Sequence, residues 1–153
     1  MEENKEIQIR IKEINEISFI LNQIPIPADQ IEFGVNLNLG IGFRFEVNLE
    51  LGVLKFYTSI NFTINELIDP IVGLENEIIF EIPELSSVVK LENGEQLQFE
   101  NNFLATLAGV CIGTTRGVLA ANLKGSPMAK FPLPILNPTE ILASMNIHSE
   151  ELK

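Results

Sequence analysis

Glu75 with Glu77, and Glu81 with Glu84, are carboxylate pairs close in sequence. Such pairs do general acid–base chemistry when a pocket drives their pKa values apart. Here they sit in or beside alternating stretches, where a wet strand face is the stronger reading. Cys111 is the only cysteine and His148 the only histidine. A thiolate nucleophile needs a neighbouring base and a metal needs a cluster of ligands, and neither residue has such a partner in the sequence. Cys111 therefore reads as a small buried apolar residue, and His148 as a solvated tail residue. A single cysteine also excludes an internal disulfide. Arg116, beside Gly117, has the charge to bind an anion, although an interhelix salt bridge or a helix-end role suits it better. No glycine-rich phosphate loop occurs. The expectation is a protein that is not an enzyme and uses no cofactor, nucleotide or metal.

Composition narrows the partners. The 153 residues fit one domain with a real core, and 46% apolar against 20% charged residues is ordinary for a folded chain. The net charge of −11 leaves no basic surface for phosphates, which argues against nucleic acid and against an anionic membrane surface. Acidity permits a basic partner and equally keeps a sticky protein dispersed. The opening MEENKEIQIR has no apolar core segment, which excludes a signal peptide. No run is expected to reach the length of a membrane span, so the expected location is the cytoplasm.

The first two thirds read as strands. Every odd position from Val35 to Leu51 is apolar, and the even positions carry Asn, Gly, Arg and Glu. That period-two pattern means one buried face and one wet face. A strand of about 17 residues would be unusually long, so Gly40 and Gly42 are placed at a bend or bulge. Ile7, Ile9 and Ile11 alternate, as do Ile17, Phe19 and Leu21; the phase break at Glu13 and Asn15 predicts a bulge within one first strand. The connector QIPIPADQ follows, held extended by its prolines. Leu54, Phe56, Ile60, Phe62 and Ile64 form a third strand, reached by a hairpin turn through Gly52. A loop over about 65–76 leads to a fourth strand over 77–82, which Ser87–Leu91 extends past Pro83; Asn93-Gly94 signals a turn. The expected fold class is α+β: four antiparallel strands in roughly sequential order within about 7–91, then helices.

The spacing changes to about 3.6 in the last third, predicting a long helix over about 96–124. Phe103, Leu107, Val110, Thr114 and Val118 fall near one stripe, widened by Leu104, Cys111 and Leu119. Ala105, Ala108, Gly109 and Gly113 are small and allow close approach, at a propensity cost that makes a kink plausible. Lys124-Gly125 ends the helix with a cation followed by glycine. Pro127, Pro132 and Pro134, with Pro138 just beyond, hold an apolar crossover over 125–136 extended. Asn137, Pro138 and Glu140 then open a short helix over 137–146.

The sequence resembles the SecB-like chaperones along nearly its whole length. The residues that carry the likeness are Ile17-Ser18-Phe19 before the connector prolines Pro25 and Pro27, and Lys124-Gly125 at the helix end. The crossover Phe131-Pro132-Leu133-Pro134-Ile135-Leu136 and the short helix beyond it complete the order. Thr114-Thr115-Arg116-Gly117 is similar to the run found in divergent members. The proteins that define the family carry a longer C-terminal helix and acidic tail, whereas this sequence stops at Glu150-Glu151-Leu152-Lys153; the departure bears on docking to the export motor ATPase more than on holding.

The resemblance implies an ATP-independent holdase for unfolded polypeptide clients, built as a homotetramer with long helices packed between dimers. Client-binding candidates are Phe131, Leu133 and Ile135 of the crossover, then Phe43, Phe45 and Phe56 on the sheet. The alternative for the crossover residues is that they only seal the core. Leu104, Ala108, Cys111, Gly113 and Leu119 are the expected oligomer interface. A chaperone dedicated to one antitoxin or other client is a second reading. From a different class, a curved sheet under a helix can enclose an apolar ligand as a carrier does.

Overall fold

The computed structural model describes residues 7–65, 67–92, 96–100 and 102–145. Four strands form the main sheet: β1 Arg10–Leu21, β2 Leu37–Asn48, β3 Val53–Ile64 and β4 Val72–Glu81. All neighbours are antiparallel, in the order β1-β4-β3-β2. This corrects the sequential order expected from sequence. The short β2–β3 turn and the compact β3–β4 connection force a meander. The connector after β1 is long enough to carry the chain across the sheet, which leaves β1 to pair with β4.

The turn between β2 and β3 is where Gly52 was expected, and Gly52 adopts φ +63° with its carbonyl accepting from Ile82 N at 2.7 Å. β1 carries two register shifts, between Ile11 and Glu13 and between Glu16 and Ser18, close to the predicted phase break. No shift occurs in β2; its register with β3 is unbroken over the whole strand, so Gly40 and Gly42 mark no bulge. β4 begins at Val72, inside the stretch expected as loop. Val72 and Leu74 are buried there, and Gly73 sits opposite Ile20.

After β4 the chain departs from the expected strand extension. Leu85–Val88 is a short helix, α1, followed by a separate hairpin of β5 Val89–Glu92 and β6 Gln96–Phe99. Asn93-Gly94 lies between these strands, outside the described residues. The long helix α2, Phe103–Leu123, therefore starts seven residues later than predicted. It is long and apolar enough to cross a membrane by length and composition, contrary to expectation, yet one face packs on the sheet. Gly125, φ +84°, follows its end as read. A 3₁₀ turn at Pro127–Lys130 precedes the crossover, and α3 spans Pro138–Ser144. Asn137 Oδ1 caps α3, accepting from Thr139 N at 3.0 Å and Glu140 N at 3.3 Å.

The core lies between α2 and the inner sheet face. Phe56, Phe62, Ile60, Ile78, Leu104 and Leu107 fill it. α2 also carries polar anchors: Asn76 Nδ2 donates to Thr115 Oγ1 at 3.3 Å, both buried. At the helix end Asn122 donates to Glu16 of β1.

Candidate polypeptide-binding surface

β2 is an edge strand, and its ladder phase follows from one bond beyond its end. Asn65 N donates to Asn36 O at 3.0 Å, so even-numbered residues exchange bonds with β3. The odd-numbered residues direct N–H and C=O away from the sheet. Leu37 O, on that side, accepts from Gly34 N at 3.0 Å. From Leu39 to Val47, no odd-numbered residue has a backbone partner on that side among the described residues. The same odd residues point their side chains to the inner face, where Leu39, Ile41, Phe45 and Val47 are half-buried. A regular edge with no bulge and no proline, beside an apolar row, accepts an added strand.

Aromatic clusters stand at both ends of this row. Near its start, Phe33 packs edge-on against Phe62 at 5.5 Å and against Phe131 of the crossover at 5.7 Å. Toward its end, Phe56 contacts Phe43 at 5.2 Å, and Phe45 meets Phe99 of the β5–β6 hairpin at 5.1 Å. Arg116 ties the crossover to α2: its Nε donates to Leu133 O at 2.9 Å and its Nη2 to Pro134 O at 2.8 Å.

The predicted client residues separate accordingly. Ile135 is 97% exposed, and Phe131 and Phe45 are half-buried, so these three reach the surface. Leu133, Phe43 and Phe56 are buried and belong to the core. Leu133 is the inward residue of an extended segment whose neighbours face out, and Phe56 lies under α2 on the interior strand β3. Sequence reasoning missed Phe33 and the β2 edge. Phe33 sits just before the alternating run, and the edge depends on strand order, which has no local signal.

The predicted oligomer interface is also redistributed. Leu104, Ala108, Cys111 and Leu119 are fully buried in this chain's own core, and only Gly113 is exposed. The helix is rotated relative to the stripe read from sequence, because small residues are needed where it approaches Thr58 and Asn76 closely. Its open face instead carries Thr106, Val110, Gly113 and Gly117. Burial pushes the Cys111 thiol up to about 12, against a weaker opposing hydrogen bond from Thr58.

Glu75, Glu77 and Glu81 lie on the outer sheet face, as the wet-face reading expects, whereas Glu84 lies beyond β4, directly before α1. Glu75 pairs with Arg44 at 3.2 Å, Glu81 pairs with Arg10, and Glu77 accepts from Asn15 Nδ2 at 2.9 Å. Arg44 also stacks over Tyr57, 3.8 Å from the ring centre. Hydrogen bonds from Asn15 and Tyr57 hold the Glu77 carboxyl below its ordinary range, and the bond to Glu77 raises Tyr57. Among the described residues no cluster of three or more His, Cys, Asp or Glu side chains could hold a metal ion.

No family model and no curated protein matches this sequence. Among solved structures, the chain is similar to the Mycobacterium tuberculosis Rv1957 SecB-like chaperone in complex with a ChAD peptide from the Rv1956 HigA1 antitoxin. The TM-score is 0.51 at 12% identity, over 84% of this chain and 89% of that one. The four antiparallel strands, long helix and short C-terminal helix therefore form a SecB-like α+β fold.

Proposed function

We propose that this protein is an ATP-independent holdase of the cytoplasm that binds extended apolar segments of unfolded polypeptides along β2. The carrying observation is the regular, unpartnered β2 edge beside a half-exposed apolar row. Main-chain bonding there is indifferent to client sequence, while alternate client side chains meet Leu39, Ile41 and Phe45. Phe33, Phe131 and Ile135 supply an apolar end to the site, and Pro132 and Pro134 limit the freedom that the crossover loses on binding. The neighbour's antitoxin peptide favours, as a second reading, a chaperone dedicated to one client. Export service requires the further step of docking to a motor ATPase. A carrier role fits less well, since side chains fill the space under α2.

The test is suppression of aggregation of a thermally unfolded client without nucleotide. Phe131→Ser with Ile135→Ser is expected to weaken client affinity about tenfold or more, since each loses roughly 1.5–3 kcal/mol of apolar burial. Full protection by the folded double variant would remove the crossover from the site. An ATP requirement in the wild type would end the holdase reading. Capture of one protein by the tagged chain from its own host, in preference to a panel of unfolded clients, would select the dedicated reading.

A further inference from the structure

We infer that Arg116 is a positioning residue that clamps the crossover against α2 and so sets the alignment of the client surface; the inference rests on the holding function proposed above. Arg116 is the only charged residue of α2. It makes no ion pair among the described residues. Instead its guanidinium forks onto two successive carbonyls, Leu133 O at 2.9 Å and Pro134 O at 2.8 Å. A planar guanidinium suits this geometry, and lysine, with rotatable donors on a flexible stem, lacks the fixed fork that holds both bonds at once.

The crossover has few other ways to be held. Pro132 and Pro134 have no N–H to donate. Between Phe131, whose N–H bonds Met128 O at 3.0 Å, and the Asn137 cap of α3, the Arg116 bonds are the hydrogen bonds fixing the segment among the described residues. Leu133, 2% exposed, is the apolar peg beside the fork. One peg and one fork hold the middle of the segment, while Phe131 and Ile135 on either side face outward. Gly113 and Gly117 flank Arg116 on the helix, and a Cβ at either would meet nothing within 4 Å. Loss of the fork should therefore free the segment locally rather than unpack the core.

The clamp is tested with Arg116→Ala and Arg116→Lys in the full chain, by amide hydrogen exchange over residues 131–140 and by affinity for a permanently unfolded, reduced and alkylated client. Charge-assisted bonds of this kind predict at least about tenfold faster exchange in the alanine variant at the bonded amides that bracket the segment, Phe131, Thr139 and Glu140, with β3 and β4 unchanged. Client affinity should fall at least about fivefold at a temperature where the variant is fully folded, and lysine should restore part of both losses. Unchanged exchange at Phe131, Thr139 and Glu140 overturns the clamp, as does acceleration spread evenly over the sheet. Should alanine prevent folding, the lysine variant decides at the same amides, with a smaller acceleration expected there and none in the sheet. A wild type that binds no unfolded client overturns the holding function, and the exchange ratio then judges the clamp alone.

Discussion

Outside the buried Cys111, Glu77 and Tyr57 are the described residues whose titration the fold visibly changes. Glu77 accepts bonds from Asn15 and Tyr57, which hold its pKa below the ordinary value. A depressed carboxyl stabilises the folded chain above its unfolded pKa, and that contribution disappears as pH falls through the folded pKa. Tyr57 is raised, chiefly by its bond to Glu77, so the neutral phenol contributes below its ordinary pKa and that contribution is lost as pH rises through the raised one. Glu77→Gln should therefore flatten the decline in Tm on acidification below about pH 5. Melts across that range check it, and an acid limb as steep as wild type would refute the assignment. The wet-face reading of the acidic residues was available from alternation; that Glu77 would meet Tyr57 across β3 was not, because the contact depends on register.

At the element scale, the hairpins were legible to different degrees. The β2–β3 turn announced itself through glycine, and Gly52 shows why. Its φ is +63°, and a Cβ built on it would stand 2.7 Å from Ile82 O. Gly34 also has a positive φ, +79°, with nothing within 4 Å. Gly34→Ala should cost only the left-handed strain, about 1–2 kcal/mol. Gly52→Ala should cost that and the clash, lowering Tm by roughly 5 °C or more. Parallel thermal melts decide it, and equal losses would show that the Ile82 contact relaxes freely. The β5–β6 hairpin, by contrast, was hidden. Gln96–Phe99 precedes a strongly helical run, and its buried Phe99 fits either period.

At the scale of the whole molecule, α2 exposes Val110, Gly113 and Gly117, and β1 exposes Ile11 and Ile14. Such open apolar surface motivates our proposal of a homo-oligomer, with a tetramer as the expected form. Light scattering should give four times the chain mass of 17.1 kDa. Gly113→Leu is a clean probe, because the chain itself leaves open space there. Inserted bulk in a packed interface costs about 1–3 kcal/mol, so the variant should dissociate at higher concentration than wild type while keeping its Tm as a subunit. A wild type that stays monomeric at micromolar concentration would overturn the proposal.

The sequence by itself determined the elements whose physics is local. Alternation specified β2 and β3, an asparagine followed by proline specified the start of α3, and a glycine after lysine specified the end of α2. Tertiary structure alone decided which face of α2 is inside. Both faces are nearly free of charge, so hydropathy could not set the phase; close packing over Thr58 and Asn76 did, drawing Ala108, Cys111 and Thr115 inward. It also decided that Leu133 is a core peg while Ile135 stands in solvent, since an extended segment takes its facing from what it crosses. Above all it decided that β2 is an edge. Strand order arises from where a long connector lets β1 go, and that choice leaves one regular strand with its backbone open.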